Sequence, residues 1–392
     1  MRSGWRRAAA GLLILLSLTA LPGCWDSREL DSLFIVMGVA LDKSEEKDAI
    51  DLTIQIGKPK STAAKGESKD QSSSVILMRA TAENIISGLT ELNQSSSRTL
   101  ILQHNQALLL GRELAEEGVE DKLDAFLRDQ EARLEVPVAV VDGKAEDVLT
   151  AKLKEEDISA MYLSKMMEDL QKISPEYRVR LLDFLARLLT KTDCPVVPLI
   201  AVEEKNGNQE LRLKGLAVFR EGKMVGHLSN QEADGYLWAM DGVNQGEIDV
   251  TGDQGWGSLR IRDLTTKRRL SLGEDGTVRV ELDVNAALTV EELHGFADLQ
   301  PQDLMKNLNE LVTKQIQKQI EAAYRVSQKL GADIYGFGTS VYRKYPGQWK
   351  EMRDRWEELY KEIDLDIHVR VKIAFTGQTV KTVEMEGKTS EN

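Results

Sequence analysis

The fold is decided near the end of the chain, by the stretch Leu365-Asp366-Ile367-His368-Val369-Arg370-Val371-Lys372-Ile373. Apolar and polar residues alternate here, and a period of two is typical of a strand with one buried and one solvent-facing side. Val278–Val284 alternates in the same way. We therefore predict that both stretches are strands with their apolar sides toward one core.

A long helix is predicted between these two strands. From Pro301 to a stop at Gly331, apolar residues recur three and four positions apart: Leu304, Leu308, Leu311, Val312, Ile316, Ile320 and Tyr324. A shorter helix begins at Pro346 and carries Trp349 and Trp356. These tryptophans either pack in the core or form an aromatic platform for sugars or bases, and their helical spacing favours the core. The order strand–helix–helix–strand suggests an antiparallel sheet covered by helices on one face.

Strands and helices also alternate in the rest of the chain. Leu33–Leu41 reads as a strand that is apolar on both faces, and Thr81 and Ser174 are predicted to begin helices. Ser229 and Glu232 form a capping box, and Trp238 lies off the apolar stripe of the helix behind it, which predicts a contact with a neighbouring domain. The fold class predicted is α+β, a multi-domain protein with mixed or antiparallel sheets packed with helices.

Length and composition predict more than one domain. The chain has 392 residues, of which 42% are hydrophobic and 29% are charged, enough apolar residues for two or three cores. We expect a signal peptide at residues 1–23, an N-terminal α/β domain at 24–190, a small middle domain at 191–265, a C-terminal α/β domain with the long helix at 266–380, and a polar tail at 381–392.

The amino terminus has the pattern of an export signal. Three arginines precede an apolar run that ends in Leu21-Pro22-Gly23-Cys24. This ending resembles a bacterial lipobox, a resemblance that implies a diacylglyceryl group on the thiol of Cys24 and cleavage just before it. The alternative is an ordinary secreted protein with Cys24 as a free thiol. Cys194 would then be the other cysteine, either a buried structural residue or a reactive thiol.

Charge and motifs exclude several functions. Removing the three arginines of the signal changes the formal net charge from −13 to −16, which argues against nucleic-acid binding and against attraction to an anionic bilayer. The acyl chains on Cys24 would then be what holds the protein at the membrane. The four histidines, His104, His227, His294 and His368, lack the spacing of a zinc site, and no nucleophile, phosphate-loop or calcium-loop motif occurs. We predict no enzyme activity, no cofactor and no metal site.

Six separated stretches resemble one known family. They are Cys24-Trp25-Asp26-Ser27-Arg28-Glu29-Leu30, Val36-Met37-Gly38-Val39-Ala40-Leu41-Asp42-Lys43, Phe126-Leu127-Arg128-Asp129-Gln130-Glu131, Leu213-Lys214-Gly215-Leu216-Ala217-Val218-Phe219, Asp333-Ile334-Tyr335-Gly336-Phe337-Gly338 and Tyr342-Arg343-Lys344-Tyr345-Pro346-Gly347-Gln348-Trp349. In this order they resemble the Ger(x)C proteins, the C subunits of spore germinant receptors. The family usually has Pro where this chain has Gln130.

The resemblance implies a lipoprotein on the outer face of the spore inner membrane. It further implies three α/β domains in a row, no catalytic activity, and action with membrane A and B subunits in a receptor for small nutrients. The candidate interface residues taken from the motifs are Trp25, Asp26, Arg28, Glu29, Gly38, Asp42, Arg128, Glu131, Gly336, Gly338, Pro346 and Trp349. For Trp25, Asp26, Arg28 and Glu29 the alternative is purely local structure, such as an ion pair between Arg28 and Asp26.

Two alternative functions remain open from the residues alone. A substrate-binding lipoprotein of an importer is also exported and anchored through a cysteine, but that class needs two lobes of parallel βαβ units around a cleft. A cell-wall enzyme is the third possibility.

Overall fold

The computed structural model describes residues 32–58, 74–128, 133–190, 192–296 and 299–375, with the side chain of Leu127 excepted. The signal peptide and the tail predicted for residues 381–392 lie outside these ranges. Six of the candidate site residues also lie outside them: Cys24, Trp25, Asp26, Arg28, Glu29 and Glu131.

The described residues form thirteen strands and eleven α-helices. The strands are β1 (Leu33–Lys43), β2 (Ile50–Gly57), β3 (Val75–Ala82), β4 (Thr99–Ile101), β5 (Ala107–Gly111), β6 (Val138–Val141), β7 (Val196–Lys205), β8 (Asn208–Arg220), β9 (Lys223–Leu228), β10 (Gly246–Gly252), β11 (Gly255–Leu272), β12 (Val278–Gly295) and β13 (Asp364–Phe375). The helices are α1 (Ile85–Gln94), α2 (Arg112–Glu117), α3 (Glu120–Arg128), α4 (Ala145–Thr150), α5 (Ser159–Ile173), α6 (Leu181–Leu188), α7 (Asn230–Met240), α8 (Pro301–Leu330), α9 (Phe337–Lys344), α10 (Pro346–Met352) and α11 (Trp356–Glu362).

The first sheet is mixed, in the order β3-β2-β1-β5-β6-β7-β8-β9, with β4 beside β1. Its centre, β1-β5-β6-β7, is parallel, and antiparallel hairpins extend it on both sides. The central strands are apolar on both faces, as the pattern of Leu33–Leu41 predicts, because helices cover the sheet from both sides. One covering layer contains α1, α2, α3 and α6, and the other contains α4 and α5.

The second sheet has the order β10-β11-β12-β13. The two strands predicted from their alternating pattern are neighbours in it, and β13 has alternating exposed and half-buried residues. They are parallel, however, so the prediction of an antiparallel sheet is wrong for this pair. The reason is the connection: α8, about 45 Å long for its 30 residues, returns the chain to the end of the sheet where β12 began.

The middle of the chain contributes to both sheets. β7, β8 and β9 complete the first sheet, while Val196, Val218 and Leu228 from these strands pack in one hydrophobic cluster with α7, α8 and the second sheet. The boundary predicted after residue 190 therefore lies just before a strand of the first sheet, and the one predicted after residue 265 lies within β11. The division into three domains stays a prediction.

Of the helix starts predicted from capping residues, the one at Ser229 agrees with the structure, and those at Thr81 and Ser174 differ from it. The capping box of Ser229 and Glu232 begins α7 as predicted, with the Ser229 N–H donating to Glu232 Oε2 at 2.7 Å. Thr81 instead lies within β3, and Asn84 caps α1 by accepting from the N–H of Ser87 at 2.9 Å. Ser174 begins only one 3₁₀ turn, Pro175–Tyr177, before α6.

Trp238 is buried at the contact between α7 and α8. Its indole Nε1 donates to Gln319 Oε1 at 3.0 Å, and its carbonyl accepts from the hydroxyl of Thr266 in β11 at 2.7 Å. Trp238 thus connects α7 to α8 through its side chain and to β11 of the second sheet through its backbone carbonyl.

Candidate interface residues and the Asp333 cluster

The Gly336-Phe337-Gly338 motif begins α9 and is organised around the buried carboxylate of Asp333. The backbone N–H of Phe337 donates to Asp333 Oδ1 at 3.0 Å, and the N–H of Gly338 donates to Oδ2 at 2.6 Å. Gly336 is left-handed, with φ of 68°, a conformation that favours glycine. Asp333 precedes α9 and thus accepts hydrogen bonds from two backbone N–H groups that have no partner within the helix.

Trp356, the first residue of α11, provides a third hydrogen bond to this carboxylate. Its indole Nε1 donates to Asp333 Oδ2 at 3.0 Å. Burial raises the pKa of Asp333 to about 6, while the hydrogen bonds from Gly338, Phe337 and Trp356 act in the opposite direction. Asp333 is only 3% exposed, so the three donors stabilise a charge that water hardly reaches.

Trp349 and Trp356 pack against each other and against Gly338. Their ring centroids are 5.2 Å apart with an edge-on arrangement, and both side chains are buried. A Cβ on Gly338 would lie 2.8 Å from Trp356 Nε1 and 3.2 Å from the Trp349 ring, so only glycine fits without movement. The two rings pack in the core and are not an exposed platform. We call Asp333, Gly336, Gly338, Trp349 and Trp356 the Asp333 cluster.

The Asp333 cluster is tied to the first sheet. The hydroxyl of Thr339 in α9 donates to Asp193 at 2.5 Å, and the N–H of Cys194 donates to the Asp333 carbonyl at 3.3 Å. Asp193 and Cys194 lie three and two positions before the start of β7. Arg220, at the end of β8, donates to the carbonyl of Leu330 at 2.9 Å and pairs with Glu357 at 2.8 Å. The cluster is therefore a junction between the sheets.

Gly38 and Asp42 form a second group on β1. Asp42 is buried, and its two oxygens accept from the N–H groups of Ala145 at 2.7 Å and Glu146 at 2.9 Å, which caps α4. Burial raises the pKa of Asp42, and the two backbone hydrogen bonds oppose this shift. A Cβ on Gly38 would lie 2.7 Å from both Ala160 and Leu149. Both residues thus position helices against β1.

The remaining described candidates lie apart from these groups. Arg128 is exposed at the end of α3 and pairs with Asp124 at 2.6 Å, one helical turn away. Pro346 is exposed at the first position of α10, where a missing N–H costs nothing. Gly338 and Trp349 are therefore brought together beside Gly336, whereas Gly38 and Asp42 contact the helices α4 and α5 at separate points along β1.

Asp333 itself is the residue that sequence reasoning missed. It belongs to a quoted motif, yet it was not among the candidate residues, whereas its neighbours Gly336 and Gly338 were. A signal was present, because an acidic residue shortly before a helix start is the usual partner for free backbone donors. The bond to Trp356 has no local signal.

The described residues provide neither an activated thiol nor a cluster of metal ligands. Burial raises the pKa of the Cys194 thiol to about 12, so the thiol stays protonated at neutral pH, in agreement with a buried structural cysteine. Within the described ranges, no three His, Cys, Asp or Glu side chains are grouped closely enough to hold a metal ion. His368 is exposed on β13, 3.1 Å from Asp366. None of the described helices is both long and apolar enough to cross a bilayer.

Two family profiles match consecutive parts of the chain. Residues 26–202 match the profile described as Spore germination protein N-terminal domain. Residues 214–377 match the profile described as Spore germination B3/GerAC like, C-terminal. The matched ranges contain every candidate residue except Trp25 and the lipobox cysteine.

Individual relatives match over nearly their full length. Spore germination protein KC of Bacillus subtilis (strain 168) is 26% identical over 95% of this chain and 96% of its own. Spore germination protein GerQC of Bacillus cereus is 22% identical over 94% of this chain and 99% of its own. The crystal structure of the GerBC protein matches with a TM-score of 0.58 and 18% identity, covering 86% of this chain and 96% of that one. The last match supports the same fold.

Proposed function

The chain belongs to the GerAC-like family of spore germination proteins, and from this premise we propose that it is a lipid-anchored, non-enzymatic subunit of a nutrient germinant receptor. It acts with the membrane A and B subunits of that receptor, on the outer face of the spore inner membrane. The observation that supports the proposal best is the pair of profile matches, which follow one another and together span residues 26–377 with one short gap.

The role proposed for this subunit is docking. The motif residues that the structure describes hold helices in place: Asp42 caps α4, and Asp333 joins α9 to α11. Both carboxylates accept hydrogen bonds from backbone or indole N–H groups, and neither has a histidine among its hydrogen-bond partners, whereas acid–base catalysis uses a group that is free to exchange a proton with the substrate. These contacts support a rigid body that presents a fixed surface to partners.

The lipid on Cys24 would hold this body close to its partners. Residue 33, the first of β1, lies nine positions after Cys24. A chain spans at most about 3.3–3.6 Å per residue, so β1 would begin within roughly 30 Å of the lipidated residue. The first sheet would then stay beside the bilayer, where membrane subunits can reach it.

Deletion and complementation in the spore-forming host test the proposal. Deleting the gene should abolish germination in response to particular nutrients while sporulation continues, and the native gene should restore the response. Germination that continues unchanged with every nutrient would refute the receptor role.

A pair of cysteine variants tests the anchor. Cys24→Ala should release the folded protein from the membrane fraction and weaken germination, because the acyl chains are the proposed attachment. Cys194→Ala is the matched control, since it removes the other cysteine, and it should remain membrane-bound. A Cys24→Ala protein that stays membrane-bound and fully active would show that partner contacts provide the anchoring.

A further inference from the structure

A cleft opens where α7, the edge strand β10 and the long helix α8 meet. Its volume is about 270 Å³, close to the lower limit of roughly 300 Å³ for small-molecule pockets. Each of the three elements contributes polar side chains: Gln231 and Asp234 from α7, Glu247 and Asp249 from β10, Gln315 and Gln319 from α8. Gln245 and several apolar side chains, among them that of Trp238, line the rest of the cleft.

Asp234 is the exceptional residue of this cleft. It is half-buried on α7, and among the described residues no hydrogen-bond donor and no charged group affects the pKa of its carboxylate. Burial raises the pKa of Asp234 to about 6, and no basic group acts against this effect. Its carboxylate is partly desolvated and open to the cleft, so a cationic ligand there would lower the free-energy cost of keeping it ionised.

Two of the other polar side chains in the cleft already have partners within the protein. Glu247 pairs with Arg260 at 3.3 Å, and Gln319 accepts the indole N–H of Trp238 at 3.0 Å. Lys, Arg and His do not occur among the side chains that line the cleft. The cleft therefore offers negative charge and amide groups, with nothing to balance the charge of Asp234.

The chemistry of this lining decides between kinds of cation. A metal ion would need at least three clustered ligands, and the described residues form no such group here or elsewhere. An alkylammonium group needs only one carboxylate and a few oxygen acceptors, because it carries its hydrogen-bond donors on a single nitrogen. Its carbon atoms can contact the apolar part of the lining.

We propose that this cleft binds a small organic ammonium compound, whose charged nitrogen pairs with Asp234 and whose remaining polar group contacts the glutamine amides of α7 and α8. The bond is charge-assisted and lies in a partly desolvated site, which makes it stronger than a surface ion pair. The inference concerns a site on this subunit alone and is independent of the receptor role proposed above.

Binding should depend on pH in a defined direction. Protons compete with the ammonium group for Asp234, so affinity should fall as the pH is lowered through about 6. The other titratable groups at or near the cleft are Glu247, Asp249 and Tyr177. Burial raises the pKa of Tyr177 above its ordinary value, so its hydroxyl stays neutral at these pH values.

Ligand-observed NMR on the full chain purified in detergent tests the proposal. Ethanolamine is the probe, ethylene glycol is its uncharged counterpart of the same size, and glycolate is the anionic counterpart. Ethanolamine should bind at neutral pH, more weakly at about pH 5, and in preference to both counterparts. Equal signals from ethanolamine and ethylene glycol would overturn the proposal.

Matched variants locate the binding site. Asp234→Asn keeps the shape of the side chain and should weaken ethanolamine binding by about ten- to hundredfold, the usual effect of losing a charge-assisted hydrogen bond. Asp253→Asn makes the same charge change in the exposed turn between β10 and β11 and should leave binding unchanged. Gln315→Ala should weaken binding several-fold. Unchanged affinity in Asp234→Asn, in a variant whose melting temperature shows that it is folded, would refute the assignment.

Discussion

The indole Nε1 of Trp356 donates a hydrogen bond to Asp333 Oδ2 at 3.0 Å, and the same oxygen accepts from the N–H of Gly338 at 2.6 Å. One carboxylate oxygen therefore joins the first residue of α11 to the start of α9. Because this carboxylate is buried, the loss of a donor leaves a charged group short of hydrogen bonds where water cannot replace them.

Replacing the indole donor should destabilise the protein. Trp356→Phe retains an aromatic ring but removes the donor to Asp333, and we expect a loss of about 2–3 kcal/mol in the free energy of unfolding. Urea denaturation measures it. Trp349→Phe is the control, since it makes the same ring change beside the same glycine, and it should cost less. Equal losses in the two variants would show that the Trp356 hydrogen bond contributes little.

Asp42 and Gly111 should show coupled effects on stability. Asp42→Ala removes the cap of α4 and should cost about 1–2 kcal/mol. A Cβ on Gly111 would lie 2.0 Å from Asp42 Oδ1, so Gly111→Ala should displace the same cap. In a double-mutant cycle by urea denaturation, the combined loss should be smaller than the sum of the two single losses. Strict additivity would contradict this view of the site.

Gly38 should not tolerate a side chain. Gly38→Ala places a methyl group 2.7 Å from Ala160 and Leu149, and overpacking of this kind costs about 1–3 kcal/mol. Gly347→Ala is the matched control, because a Cβ there would have no neighbour within 4 Å, and it should stay within about 0.5 kcal/mol of the native protein. Thermal unfolding of the two variants checks the difference, and similar melting temperatures would contradict it.

Asp234 should make stability increase as the pH falls. Its pKa of about 6 in the folded protein exceeds the ordinary value of 3.8, so the folded state binds the proton more tightly than the unfolded state does. This contribution is unfavourable above pH 6 and is relieved between about pH 6 and pH 4. Asp234→Asn should therefore raise the melting temperature at about pH 7.5, with a gain that shrinks toward pH 4. An equal gain at both pH values, or the same profile in Asp253→Asn, would contradict the assignment.

Much of the second sheet was predictable from the sequence because its signals are periodic and local. The alternation in β12 and β13 and the apolar stripe of α8 were each sufficient to predict these elements, and Gly331 ends α8 in the left-handed conformation expected. The direction of β13 was not predictable in this way, since alternation is the same in parallel and antiparallel strands.

The candidate sites were only partly predictable for a related reason. Gly38, Gly336 and Gly338 were found through short motifs, but the sequence does not show what approaches them, because Ala160 and Trp356 are distant in the chain. Asp234 lies one helical turn before Trp238 on α7, which places both on one face. The isolation of its carboxylate depends on α8 and β10, which no local pattern on α7 reveals.

The parallel pairing of β12 and β13 also determines when the protein can finish folding. Residue 279 pairs with residue 364, and the ladder continues to Phe375, so β12 lacks one neighbour until the chain has been synthesised well beyond residue 364. Contacts of such sequence separation form slowly, because a long segment must be ordered before they are made. Until then the unpaired edge of β12 is open to other chains, and a truncation before residue 364 leaves it permanently so.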